Sequence, residues 1–407
     1  MNLNLLYLIL LSISKSMLIK KYCLRTALLA AFLGVSQLSE AQQSQVGQDE
    51  DQLRTITTAV PILTVSPDAR SAAMGDAGVA ISPDANTPHW NPAKLGFVPN
   101  DFSASVSYTP WLRKVINDMS LSYLSAYKKI NENSAFSVSL LYFDLGAIEF
   151  RQTAQGPGQE FNPKEYTIDA AYGTRLSEYL SLGVGARFIH SNLSGNVAVS
   201  GSQTESKPGN SAAVDVGVFY NRDITLGGNE YNLALGGNIS NIGAKISYTT
   251  ADQKDFIPTN LRLGTAITKE LDPYNKLTFA FDVNKLLVPS PDTSGLPPTN
   301  VGVLSGIFES FSDAPDGFSE EMKEINLSFG LEYWYNELFA ARAGYFYENP
   351  MKGDRKYLSF GLGVRYQKFG LDVAYLVPNE RNNPLAETVR FSLHFDLSKE
   401  DDGTLNQ

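Results

Sequence analysis

From Phe102 to the C-terminal end of the chain, large apolar residues recur at every second position. In the stretch VRFSLHFDL, for example, Val389, Phe391, Leu393 and Phe395 alternate with polar residues. Alternation kept over about eight to eleven residues is the pattern of a β-strand with one apolar and one polar face. Fourteen segments show it, near 102–108, 118–127, 134–143, 164–174, 179–190, 210–221, 230–241, 259–268, 276–284, 324–334, 338–347, 356–366, 369–376 and 387–396.

The connections between these segments alternate in length. The stretches 191–209 and 285–323 are long, whereas LSE at 176–178 and QK at 367–368 are short. An even number of strands, joined by short periplasmic turns and longer external loops, is typical of bacterial outer-membrane barrels. The sequence therefore predicts an all-β fold, a 14-stranded antiparallel transmembrane outer-membrane β-barrel over 101–397, with both termini and a tail at 398–407 in the periplasm. A soluble sandwich or propeller is the alternative, but it gives no reason for the alternating loop lengths.

The N-terminal 41 residues have the pattern of a signal peptide. Basic residues precede the short apolar run TALLAAFLGV, and Ser39 and Ala41 form a small-x-small cleavage signature. This predicts a true start at Met17 and a mature chain from Gln42. A membrane anchor is the alternative, but the apolar run is too short to span a bilayer. The single cysteine, Cys23, falls inside the signal, so no disulfide or thiolate ligand is expected in the mature chain.

Residues 42–100 precede the first predicted strand and have a different composition. SPDARSAAMGDAGVAISPDANTPHWNPAKLGF, at 66–97, is rich in Ala, Gly, Pro and Asp, which allow close packing and turns but no long regular element. Several inward strand positions, among them Gly183, Gly236 and Gly361, are small and leave room inside the barrel. We interpret 42–100 as a periplasmic hatch, or plug, that lies in or under the barrel. A disordered tether is the alternative.

Charged residues of both signs occupy the polar faces of the predicted strands. On the lipid side at mid-depth each would cost about 2–4 kcal/mol, so we expect them to face the lumen. Either they form an ion-pair lattice that stiffens the wall, or they line a conduit for a charged solute. The expected lumenal network comprises Asp169, Arg187, Asp215, Arg262, Asp282, Glu332, Arg342, Arg365, Asp372 and Arg390.

Two predicted loops carry apolar residues that are candidates for partner binding. The long connection near 285–323 contains VGVLSGIFESFSDAPDGF, and an exposed apolar patch commonly marks an interaction site. The loop at 109–117 adds residue types enriched at binding hot spots. The alternative is that the loops fold over one another and cap the barrel. The candidates are Trp111, Leu112, Val303, Leu304, Ile307, Phe308, Phe311 and Phe318.

The sequence offers little for catalysis, cofactors or nucleic acid. The net charge is −10 and no basic stripe is visible, which argues against a nucleic-acid partner. His89, His190 and His394 have no metal-ligand spacing, and no GxSxG nucleophile motif occurs. We therefore expect no enzyme activity, no metal and no cofactor.

Several stretches resemble one family of outer-membrane proteins. NPAKLGF resembles the hatch motif of FadL-like barrels, with Asn91, Pro92 and Ala93 as the matching residues. TPWLRKVINDMSLSYLSAY, DAPDGFSEEMKEINLSFGLEYWYN and VPNERNNPLAETVRFSLHFDL are similar to the PorV (also called LptO) branch of that family.

That resemblance implies a component of the type IX secretion system of Bacteroidota. Such proteins bind exported cargo through its C-terminal signal domain, associate with a giant translocon barrel and deliver cargo to a sortase-type attachment complex, within outer-membrane lipid. A FadL-like transporter of hydrophobic solutes or lipids is the alternative. An esterase acting on lipopolysaccharide is a third hypothesis, and it would be excluded if function survived replacement of all three histidines.

Overall fold

In the computed structural model, residues 54–111, 118–151, 158–193, 206–249, 254–291, 300–379 and 388–397 are described. The predicted signal peptide, Cys23, Leu112 and the predicted tail 398–407 lie outside these residues. The described strands are β1 Phe102–Pro110, β2 Ser120–Asn131, β3 Ser134–Asp144, β4 Ile148–Arg151, β5 Gly158–Phe161, β6 Lys164–Arg175, β7 Leu180–Asn192, β8 Gly209–Leu226, β9 Asn229–Gly243, β10 Asn260–Asp272, β11 Asn275–Leu286, β12 Ile325–Tyr335, β13 Phe339–Tyr347, β14 Lys356–Tyr366, β15 Phe369–Pro378 and β16 Val389–Leu397.

Fourteen of these strands close into one antiparallel barrel, which confirms the predicted fold class. β1 pairs with β16, and β3 pairs with β6 because β4 and β5 form a separate hairpin. Apolar residues such as Val184, Leu362 and Leu393 point outward and are exposed, while their neighbours along the strand are less so. The wall therefore presents the apolar outer surface that a bilayer requires.

The orientation of β2 differs from that of the strands just described. Its large residues Leu121, Tyr123 and Tyr127 are buried on the lumenal side, whereas Leu124 is 48% exposed on the outside. The buried side chains pack against apolar residues that precede β1, in clusters that include Leu63. The apolar face of β2 therefore packs against other protein residues and not against lipid.

The barrel has two distinct ends. At the turn end β1 begins and β16 finishes, with Phe102 paired to Leu397, and the connections are short. At the loop end the longest described connection, between β11 and β12, contains the helices Val303–Glu309 and Phe318–Glu321. In the described part of the chain, no helix is long and apolar enough to cross a membrane.

Residues 54–101, here called the N-terminal segment, fold into short helical turns. These are the 3-10 helices Pro61–Thr64 and Pro92–Phe97 and the single-turn α-helices Ala69–Ala72 and Thr87–Trp90. Three of the four have proline in the first turn, where the missing N–H costs nothing. Proline interrupts most of these residues, and in the proline-free stretch between Pro67 and Pro83 the positive φ angles of Gly75 and Asp76 prevent a longer helix.

Candidate functional site

The N-terminal segment runs along the inner wall from the loop end to the turn end. At the loop end Arg54 Nη1 lies 2.8 Å from Glu320 Oε2 in the β11–β12 connection. At the turn end the Lys129 amide, near the end of β2, donates to the Asp101 carbonyl at 2.8 Å. The two ends of the segment therefore contact opposite ends of the barrel.

Between these ends, wall side chains hydrogen-bond to the backbone of the segment. The amides of Gly78 and Val79 donate to the Asp282 carboxylate of β11 at 2.7 and 2.9 Å. The Gly75 amide donates to Ser359 Oγ of β14 at 2.9 Å. These bonds satisfy amides that would otherwise be buried without partners, because the segment has little regular structure of its own.

The Asn-Pro-Ala motif is fully buried at the wall. Asn91 Nδ2 donates to the Val218 carbonyl of β8 at 3.0 Å, and Asn91 Oδ1 accepts from the Ala93 amide at 3.0 Å. Ser181 Oγ of β7 donates to the Ala93 carbonyl at 2.6 Å. A Cβ atom on Gly183 would lie 2.2 Å from the Ala93 amide nitrogen, so only glycine fits there. The predicted small inward residues thus mark where the segment touches the wall.

One group of predicted lumenal charges forms a network that includes the segment. Arg70 of the segment binds Glu332 of β12 with two hydrogen bonds, of 2.8 and 2.9 Å. Arg342 lies 2.7 Å from Glu332 and 2.8 Å from Asp372, and Arg365 lies 2.6 Å from Asp372. Every one of these charges has a partner of opposite sign at hydrogen-bond distance.

The remaining predicted charges fall into a second cluster and three separate contacts with the segment. Arg187 binds Asp169, Asn241 and Asp215, the last at 3.1 Å. Asp282 holds the segment backbone as described, and the Arg262 guanidinium lies 4.6 Å from the centre of the Trp90 ring. Arg390 donates to the Ser66 carbonyl. The ten predicted charges are thus brought into wall–wall and wall–segment contacts.

Sequence reasoning named His89 but missed two other charged residues of the segment, Arg70 and Lys94. Both are buried. Arg70 binds Glu332 as described, and Lys94 Nζ donates to the Gly78 carbonyl at 2.9 Å.

A buried ionic cluster fixes the connection between β11 and β12. Lys285 lies 2.9 Å from Glu321 and 2.6 Å from Glu324, and Lys352 lies 2.7 Å from Glu320 and 2.9 Å from Glu324. The three acidic residues follow each other closely in sequence, so the two lysines attach this connection both to β11 and to the loop after β13. Sequence analysis missed this cluster, although the close spacing of the acidic residues in EEMKE is visible in the sequence.

The same connection carries four exposed apolar side chains, here called the loop face: Leu304, Phe308, Phe311 and Phe318. Phe308 and Phe318 are 75% and 78% exposed. Of the other candidates, Val303 and Ile307 are partly buried in the same helix. Trp111 is buried and packs edge-on against Phe143, so its indole is not accessible to a partner.

The three histidines occupy three separate places. His89 is buried in the segment, His190 lies 2.8 Å from Asn210, and His394 lies 2.8 Å from Asp372. Ser105 lies opposite His394 in the β1–β16 register, but its hydroxyl has no hydrogen-bond partner among the described residues. The same residues contain no group of three side chains arranged to hold a metal ion.

Comparison with solved structures found distant similarities. The toluene transporter TodX of Pseudomonas putida is 13% identical, with 85% of this chain and 99% of that chain covered and a TM-score of 0.47. The toluene transporter TbuX of Ralstonia pickettii is 12% identical, covering 84% and 97%, with a TM-score of 0.43. A Pseudomonas aeruginosa FadL homologue is 11% identical, covering 84% and 99%, with a TM-score of 0.42.

The family is shown by a match in sequence. None of the curated protein sequences matches the chain significantly. The family model described as "Type IX secretion system protein PorV", however, matches residues 47–293, which is more than half of the chain. This range contains the Asn-Pro-Ala motif and the resembling stretch 109–127, while the other two resembling stretches lie beyond it. The chain therefore belongs to the PorV family of type IX secretion system proteins.

Proposed function

We propose that this protein binds exported cargo through the cargo's C-terminal signal domain at the giant translocon barrel and delivers it to the sortase-type attachment complex. The barrel fold and the family both point to the outer membrane. The observation that supports cargo binding is the loop face, because large apolar side chains at such exposure commonly mark an interaction site.

The ionic cluster in the same connection supports this proposal. Lys285 and Lys352 hold Glu320, Glu321 and Glu324 in fixed positions, and these residues directly follow Phe318. A surface already ordered before binding loses less conformational entropy on association. The loop face is thus suited to bind a folded domain without first having to order itself.

We further propose that the turn end faces the periplasm and the loop end faces outward. This is the arrangement of outer-membrane barrels, whose short turns are periplasmic. The end of β16 and the predicted tail 398–407 then lie on the periplasmic side.

We also propose that the N-terminal segment plugs the barrel, and that the protein neither passes solutes nor acts as an enzyme. Its contacts with β7, β8, β11 and β14 support this role, since they hold its backbone across the width of the lumen. The alternative, transport of hydrophobic solutes or lipids, needs an apolar passage. The paired charges around Arg342 and Arg187 make the lumen polar instead.

Binding of an isolated cargo signal domain to the purified protein tests the proposal. Replacing Phe308 and Phe318 together by serine removes the two most exposed aromatic rings of the loop face, and loss of a hot spot typically costs about 2 kcal/mol or more. We expect affinity to fall by more than about tenfold. The matched control is Tyr274→Ser, which removes a ring that is 60% exposed at the turn end. Equal affinity of the double variant and the control would contradict cargo docking on the loop face.

A further inference from the structure

The first described residues of the chain belong to the loop end of the barrel. Arg54 pairs with Asp316 at 3.1 Å and with Glu320 at 2.8 Å, both in the β11–β12 connection. The Ala59 amide donates to the Phe256 carbonyl in the β9–β10 connection at 2.9 Å. Two separate long loops therefore hold this part of the segment.

Apolar packing fixes the same region. Val60, Ile62 and Leu63 are buried in a cluster with Ile246 and Ile257, which also belong to the β9–β10 connection. Burial of apolar surface is the main favourable contribution to folding, so this packing holds the region in place. Residues 54–63 are thus packed into the loop end of the barrel.

From there the segment descends through the lumen to the turn end. Its backbone contacts Asp282 near the middle of β11, then Ser181 at the turn-end start of β7, and finally Lys129 close to the β2–β3 turn. β1 starts at Phe102 directly afterwards, beside the end of β16. The chain therefore traverses the whole barrel before the first wall strand begins.

We propose that the chain crosses the membrane inside its own barrel, so that residues 54–63 are presented on the opposite side from the end of β16. With the loop end outward, these residues form part of the outer surface, next to the loop face. This differs from the sequence-based expectation that both termini are periplasmic, which followed from the even strand number alone. An even number of strands places the start of β1 and the end of β16 on the same side of the membrane. It does not determine the course of a segment that precedes β1.

The order of the elements makes such a topology accessible. The segment is followed by fourteen wall strands, and the barrel closes only when β16 pairs with β1. The wall can therefore assemble around the segment, and no end has to be pushed through a closed pore. Arg54 then fixes the outer end, because Glu320 is fully buried and also holds Lys352.

Accessibility of single cysteines tests this topology. Thr55 and Thr57 are exposed at the loop end, Glu309 is exposed on the loop helix, and Glu178 is exposed in the β6–β7 turn. Each is replaced by cysteine in a Cys23→Ser background, which leaves one thiol per chain. Intact cells are treated with a membrane-impermeant maleimide, with and without permeabilisation of the outer membrane, and folding is checked by heat-modifiable gel mobility.

We expect Thr55→Cys and Thr57→Cys to be labelled in intact cells to the same extent as Glu309→Cys, while Glu178→Cys is labelled only after permeabilisation. Labelling of both threonine positions only after permeabilisation, together with Glu178→Cys, would overturn the proposal. The result is independent of cargo: loss of cargo binding in loop-face variants leaves this labelling pattern unchanged.

Discussion

Gly183 of β7 faces the Asn-Pro-Ala motif, and we predict that Gly183→Ala displaces the N-terminal segment from the wall. The added Cβ would lie 2.2 Å from both the Ala93 amide nitrogen and the Pro92 carbonyl carbon. These are backbone atoms, so no side chain can rotate away to make room. To restore ordinary contact at 3.4 Å, the motif must retreat by about 1 Å.

The energetic cost follows from the contacts that fix the motif. Retreat strains the bonds from Asn91 to Val218 and from Ser181 to Ala93, and overpacking of this kind typically costs about 1–3 kcal/mol. A change of that size shifts the equilibrium between docked and displaced segment by about 5–150-fold. The barrel itself should remain folded, because β7 keeps its pairing with β6 and β8.

Single-channel conductance and uptake of a large antibiotic by whole cells measure the displacement. The matched control is Gly185→Ala, two residues along the same strand and also facing inward, where the added Cβ lies at an ordinary 3.4 Å from Asp215 Cβ. We expect Gly183→Ala to raise the open probability and antibiotic uptake, and Gly185→Ala to match the wild type. If the two variants behave alike, the segment does not seal the lumen through this contact.

A further prediction concerns the charges of the segment. Arg70→Met leaves the buried Glu332 with one arginine fewer, and breaking such a buried pair typically costs about 3–5 kcal/mol of stability. The control Lys276→Met removes the exposed pair with Glu337, which contributes at most about 1 kcal/mol. Equal urea midpoints for these two variants would contradict the pairing.

The barrel could be predicted because strand alternation and loop length are local properties of the sequence. All fourteen predicted segments overlap observed barrel strands, and the short turns fall where LSE and QK indicated them. The β4–β5 hairpin was missed because its strands have only four residues each, which is too short for a period of two to stand out.

The apolar face of β2 could not be assigned from the sequence. Alternation reveals that a strand has two faces, but not whether the apolar one meets lipid or protein. Tyr123 faces inward because the segment supplies buried partners such as Ile62, and that contact joins residues about sixty positions apart. The burial of Trp111 could not be assigned from the sequence either, because its partner Phe143 lies on another strand, β3.

The charged residues illustrate the same limit at the candidate site. Alternation with apolar neighbours singled out the ten charges, but not which residue each one contacts. Arg70 and Ser66, the partners of Glu332 and Arg390, come from the segment, whose path has no periodic signature. The EEMKE stretch was visible in the sequence, but its two lysine partners lie on separate elements.

Cargo binding at the translocon is tested most directly by purifying the tagged protein from outer membranes in mild detergent and identifying the co-purifying chains by mass. Binding of cargo at the translocon predicts recovery of a very large barrel protein together with exported proteins that still carry their C-terminal signal domain. It also predicts that the cargo, but not the large barrel, is lost when Phe308 and Phe318 are both replaced by serine. Recovery of the protein alone, with bound lipid or fatty acid, would contradict cargo binding and favour transport of a hydrophobic solute.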